Sequence, residues 1–151
     1  MPPLFKKLNL GTCDTILVLN APDSFEAELS QLEGIRVLRK ATAKTKTSFA
    51  IGFAMTQSEC DRVSSTIAAA TQGDSVVWIA YPKGSSKKYR CEFNRDTGWT
   101  VLGDAGFEPV RQVAIDEDWS ALRFRRVEHI RSLTRKRSMA ISTEGKRRTK
   151  Q

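Results

Sequence analysis

The sequence predicts a single α/β domain with a largely parallel sheet, and three observations carry that expectation. Short apolar runs alternate with stretches of helical periodicity, the pattern of strands joined by helical crossovers. The runs TILVLNAP (15–22), SFAIGFAM (48–55) and SVVWIAYP (75–82) are apolar nearly throughout, as in strands buried on both faces. Near the end ALRFRRV (121–127) alternates instead, with Leu122 and Phe124 on one side and Arg123 and Arg125 on the other. That is period two with one solvated face.

Residues 1–13 read as an irregular lead-in to the first strand. After it Asp23 is placed to cap a helix, with Glu26 three residues on and Gly34 as its stop. Phe25, Leu29 and Leu32 fall on one face of that helix. IRVLRK (35–40) is a short strand and ATAKTKT (41–47) a polar loop. This loop is shorter than the ~12 residues a parallel crossover with a helix needs. The strands it joins therefore either pair antiparallel or are not neighbours.

TQSE (56–59) is a capping box with Thr56 as N-cap and Glu59 at N3. Cys60, Val63, Ile67 and Ala70 form the buried face of the helix behind it, which ends near Gly73. KGSSKKYR (83–90) reads as a loop. A helix is expected over 94–106, capped by Asn94, with Trp99 and Leu102 inward and Gly106 as its end. VRQVAI (110–115) is expected as a further buried parallel strand, DEDWS as an acidic turn, and ALRFRR as an antiparallel edge strand whose arginines discourage edge pairing. The sum is a small Rossmann-like three-layer sandwich, its mostly parallel sheet closed by a C-terminal antiparallel hairpin. No internal repeat is present.

The length of 151 residues suits one domain, expected over 1–126, followed by a basic tail at 127–151. The net charge of +8 belongs to that end of the chain. Residues 125–151 hold ten Lys/Arg and two Glu, whereas residues 1–124 hold fifteen of each sign. No apolar run approaches the ~20 residues of a membrane span, and no apolar signal segment follows Lys6 and Lys7. Cys13, Cys60 and Cys91 are widely spaced without a CxxC pair, which points to a reduced, cytoplasmic compartment.

WIAYPKG, NRDTGW and GFEPVRQVAIDEDWSALRFRR together resemble a family of small bacterial proteins of unknown function. Its members carry Tyr-Pro-Lys after a buried strand and a Trp-Ser-Ala-Leu-Arg-Phe block near the end. The resemblance spans roughly 76–126. It implies a Rossmann-like α/β domain close to the second half of a methyltransferase-type sheet, and it brings no activity, substrate or cofactor. The basic tail is a departure from that family.

The sequence argues against several chemistries. The turn after the first strand is NAPDS, without the glycines that let a backbone approach a pyrophosphate, and no GxxxxGK[ST] occurs. The same lack argues against S-adenosylmethionine in its usual mode. His129 is the only histidine, so a Ser–His–Asp or Cys–His set would have to recruit it from the tail. Three scattered cysteines and one histidine are a poor zinc set, and Cys60 fits an inert core position. No metal or cofactor is expected, and a binding or accessory module is expected rather than an enzyme with a conventional catalytic set; a degenerate methyltransferase-like enzyme is the alternative.

Position offers more. Ligands of open α/β sheets bind beyond the carboxyl ends of the strands. Those ends carry Asn20 and Asp23, Thr56 and Gln57, Tyr81 and Lys83, and Asp116, Asp118 and Trp119, with Arg95 and Asp96 nearby. The candidate small-ligand or anion site is Asn20, Asp23, Tyr81, Lys83, Arg95, Asp116 and Trp119. Lys83 and Arg95 would be its charge partners and Tyr81 or Trp119 a wall. The plainer account makes Asp23, Thr56 and Asn94 helix caps and pairs Lys83 with Asp116 or Asp96. The acids of DED could serve as an acid/base pair, but turn acids are more often solvated. In the tail, Arg135, Lys136 and Arg137 with Lys146, Arg147 and Arg148 suit weak, salt-sensitive contact with RNA or DNA phosphates. No aromatic residue follows Phe124 to stack on bases, and the tail's composition predicts disorder. A protein partner remains open; a membrane does not.

Overall fold

A computed structural model describes residues 1–94 and 96–130. Six strands form one sheet: β1 (Thr15–Leu19), β2 (Arg36–Leu38), β3 (Phe49–Phe53), β4 (Val76–Pro82), β5 (Phe107–Ala114) and β6 (Trp119–Arg126), in the order β2-β1-β3-β4-β6-β5. The first four pair in parallel, and β6 lies antiparallel to both β4 and β5. The expected Rossmann-like sandwich is therefore present, with a parallel core and an antiparallel end. β2 and β3 are not neighbours, because β1 lies between them. That resolves the short loop joining them.

Both sheet faces are covered. α1 (Pro3–Lys7) and α2 (Asp23–Leu29) lie on one face, where Phe5, Leu8, Phe25, Phe53, Trp78 and Trp119 are buried together. α3 (Gln57–Ala70) and α4 (Thr100–Asp104) cover the other over Val63, Ile67, Val77, Ile79, Leu102 and Phe124. Alternate residues of β3 and β4 feed opposite cores, and this is why their sequences are apolar throughout. Gly52 on β3 is required by contact. A Cβ there would lie 2.1 Å from Val63 Cγ1 of α3.

The structure corrects five expectations. β5, expected as a buried parallel strand, is the antiparallel edge, with 110–112 exposed. β6, expected at the edge, runs inside the sheet. Its arginines are not edge guards. Arg125 forks onto Asp74 at 2.9 and 2.7 Å, and Arg126 donates to the carbonyls of Ala68 in the last turn of α3 and of Thr71 and Gly73 just after it. Asp23 does not cap α2, whose N-cap is Pro22. Asn94 caps no helix either, since α4 starts only at Thr100, and its Oδ1 instead accepts from the Asp96 N–H at 2.8 Å. The lead-in contains α1, held where the Trp78 indole donates to Leu8 O at 2.8 Å.

The capping box is formed as expected. Thr56 Oγ1 accepts from the Glu59 N–H, and Glu59 Oε1 accepts from the Thr56 N–H, both at 3.1 Å. β6 leads into a 3-10 turn, Val127–His129, in which Val127 is buried and donates its N–H to Gly106 O. Among the described residues no helix is long and apolar enough to cross a membrane.

Candidate functional site

The crossover leaving β1 runs to β2 on one side and the crossover leaving β3 runs to β4 on the other, which opens a crevice beyond the ends of β1 and β3. A cleft of 260 Å³ lies there. Asn20, Pro22 and Asp23 line it from the end of β1, and Phe53, Ala54 and Met55 from the end of β3, with Glu59, Tyr89 and Trp119 closing it. Asn20 takes the left-handed backbone region at φ 59, where Asn is among the best-tolerated side chains. Its amide donates to Phe53 O at 3.3 Å, tying the two strand ends together.

The walls of this cleft are aromatic. Trp119 meets Phe53 edge-on at 5.2 Å between centroids and Tyr89 at 5.1 Å. Trp119 Nε1 is buried without a hydrogen-bond partner among the described residues. A buried donor left so costs about 1–3 kcal/mol. Among the described residues two carboxylates line the cleft and no cation does. Glu59 is engaged by Met55 N–H and Thr56 N–H, whereas Asp23 is exposed on the first turn of α2.

A second cleft, of 370 Å³, shares Tyr89 as a wall. Tyr81, Pro82 and Lys83 reach it from the end of β4, and the loop that follows supplies Ser86, Arg90, Cys91, Phe93 and Asn94. This loop is latched at three points. Ser86 Oγ donates to Asp118 Oδ1 at 2.7 Å. Glu92 accepts from Gln57 N–H at 2.8 Å and donates its own N–H to Met55 O at 2.9 Å. Gln57 Nε2 donates to Gly98 O at 2.9 Å. Gly98 sits at φ +93 with Gln57 and Phe93 each 2.8 Å from where a Cβ would stand, so glycine is needed on both counts. Among the described residues the lining holds Lys83 and Arg90 and no carboxylate. Burial pushes the Cys91 thiol up.

The residues expected to form one site divide between these clefts. Asn20, Asp23 and Trp119 line the first; Tyr81 and Lys83 line the second. Asp116 lines neither. Its Oδ1 accepts from the Asp118 and Trp119 N–H groups at 2.8 and 2.9 Å, and its Oδ2 from the Ser24 hydroxyl at 2.9 Å. It therefore shapes the β5–β6 turn and ties it to α2. The Asp116 carboxylate is taken up by its own turn and Ser24, and the Lys83 backbone N–H donates to Asp118 O. Thr56 and Gln57 are cap and latch. Arg95 and the tail residues Arg135, Lys136, Arg137, Lys146, Arg147 and Arg148 lie outside the described residues. Burial pushes the Cys60 thiol up to about 12, which leaves it protonated and unreactive. Among the described residues no group of three or more His, Cys, Asp or Glu is arranged to hold a metal.

Tyr89, Arg90, Phe53 and Met55 were not among the expected site residues. The available signal for two of them was YRCEF (89–93), which places two aromatics in an otherwise polar loop. Aromatic side chains seek cover, and these find it between the clefts.

No protein-family model matches the chain, and no curated protein matches it. Solved structures do. The N-methyltransferase NodS from Bradyrhizobium japonicum WM9 aligns with a TM-score of 0.51 at 11% identity, over 82% of this chain and 92% of that one. The mitomycin 7-O-methyltransferase MmcR aligns at 0.54 and 11% identity, over 78% of this chain and 50% of that one, so the chain spans half of that protein's length. The magnesium protoporphyrin IX methyltransferase from Synechocystis PCC 6803, with bound SAM, aligns at 0.50 and 12% identity, over 82% and 74%. The likeness is one of fold: this chain carries a methyltransferase-type α/β sheet.

Proposed function

We propose that this protein is a degenerate methyltransferase-like domain that binds a small cationic, ring-bearing ligand of the adenosyl-sulfonium class in the cleft between the ends of β1 and β3. The observation that carries the reading is the cleft's position at the point where strand order reverses, the place where open α/β sheets take ligands. Its chemistry supports the same class. Aromatic walls suit a flat ring or a cation, the Asp23 carboxylate suits a positive charge, and the unpaired Trp119 N–H suits a ligand acceptor.

The fit of S-adenosylmethionine itself is partial. The β1–α2 turn is Asn20-Ala21-Pro22, with no glycine over which a ligand could lie close to the backbone. Its first-turn N–H groups, those of Phe25 and Glu26, already bond to Pro22 O. Beyond β2, where dinucleotide-binding sheets place an acid for a ribose, stands Arg39, which forks onto Glu26 at 2.6 and 2.7 Å. The cleft between the ends of β1 and β3 is the seat this reading gives the ligand. The domain is accordingly a binder first, and no transfer chemistry is assigned to it.

Calorimetry of the full chain with S-adenosylmethionine, beside neutral-sulfur S-adenosylhomocysteine, tests the reading. Binding of the sulfonium at least tenfold tighter than the thioether is expected, with the preference lost in Asp23→Asn. Absence of binding by both at millimolar concentration would remove the proposal.

A further inference from the structure

The two clefts that share Tyr89 are opposite in charge. Among the described residues the first is lined by carboxylates and no cation, the second by Lys83 and Arg90 and no carboxylate. Lys83 is half-buried and Arg90 exposed. Neither side chain has a hydrogen-bond or ion-pair partner among the described residues, whereas Arg39, Arg125 and Arg126 elsewhere in the fold are engaged. Two unpaired cations at the mouth of one concave site, with no acid among its described lining residues, raise the local concentration of anions. Behind them the walls are aromatic. Tyr81 and Phe93 are buried with centroids 5.9 Å apart, and Phe93 meets Trp99 edge-on at 5.2 Å. The latches to Asp118, Gln57 and Met55 hold this loop in place.

We infer that the second cleft is a site for a planar aromatic carboxylate, whose ring lies against Tyr81 and Phe93 and whose carboxylate meets Lys83 and the forked guanidinium of Arg90. A guanidinium grips a carboxylate through two parallel N–H···O bonds, and an ammonium adds a point charge. The inference rests on reading the strand-end rim as a ligand-binding surface. It goes beyond that reading by making the rim bipartite, with a cation side and an anion side separated by Tyr89.

Titration of the full chain with benzoate, followed by calorimetry beside the neutral isostere benzamide, tests it. Benzoate is expected to bind at least tenfold more tightly than benzamide. In K83Q/R90Q, checked for an unchanged melting temperature, that preference is expected to vanish, whereas Asp23→Asn leaves it intact. Equal binding of the two probes, no benzoate binding at millimolar concentration, or full affinity in K83Q/R90Q would overturn the inference. The benzoate–benzamide comparison needs no variant, so a misfolded mutant does not obscure the result. S-adenosylmethionine titrated into the same samples keeps the two clefts apart. Its loss with benzoate binding retained would refute only the first cleft, and the converse only the second.

Discussion

The contact between Gly52 and Val63 sets how closely α3 lies on β3, and through α3 it sets the positions of Thr56, Gln57 and Glu59 at the rim. A methyl group at 52 would stand 2.1 Å from Val63 Cγ1 and 3.3 Å from Ile67 Cδ1. Overpacking of this kind costs about 1–3 kcal/mol, offset by the ~0.4–1 kcal/mol that replacing a glycine removes from unfolded-chain entropy. Val63→Ala removes two methyl-sized groups from a buried site, worth about 1.6 kcal/mol at ~0.8 kcal/mol each, with a cavity term added. In G52A/V63A the new methyl takes the room that Cγ1 vacated. The double variant is therefore expected to be more stable than the sum of the singles by about 1–3 kcal/mol, within the range of contacting pairs. Urea unfolding of the four proteins measures this directly. With a slope of about 1–3 kcal/mol per molar, a 2 kcal/mol coupling displaces the midpoint by roughly 1 M. Additivity to within ~0.5 kcal/mol would refute the close approach.

Further outcomes follow from the same geometry. Asp116→Ala removes three acceptor bonds at the β5–β6 turn. A loss of about 1–3 kcal/mol is expected on chemical unfolding, without loss of the charge preference of either cleft, since Asp116 lines neither. The Asp74 carboxyl is held below its ordinary range, first by the hydrogen bond from Arg125. Its contribution is therefore complete above the usual carboxylate range and lost as pH falls through the lowered value. Because the pair is substantially exposed, an acid titration of stability in Asp74→Asn should differ from the parent by no more than about 1 kcal/mol.

The parts of the fold that local chemistry decides were legible in the sequence. β1, β3 and β4 are apolar throughout because each feeds two cores, and TQSE marks the start of α3 through bonds made within four residues. The order of β5 and β6 was not legible. Both strands mix apolar and charged residues, and the choice of interior strand rests on distant partners, Asp74 for Arg125 and the C-terminal carbonyls of α3 for Arg126. α1 has only five residues and depends on Trp78, seventy positions away, for its place.

The candidate site divides in the same way. The rule of strand ends pointed to Asn20, Asp23, Tyr81, Lys83 and Trp119, all of which line a cleft. It misplaced Asp116, whose carboxylate bonds its own turn, because an acid at a strand end reads alike as ligand or as turn-former. It missed Tyr89 and Arg90, which reach the rim only because Ser86, Glu92 and Gly98 latch their loop to elements far along the chain.

The most direct test of the account is an amide proton–nitrogen correlation spectrum of the full chain during addition of S-adenosylmethionine. The account predicts shifts gathered at Asn20, Asp23, Phe53 to Met55, Tyr89 and the indole of Trp119, with the edge strand β5 silent. A spectrum that does not change at millimolar ligand, or shifts centred on β5, would contradict it.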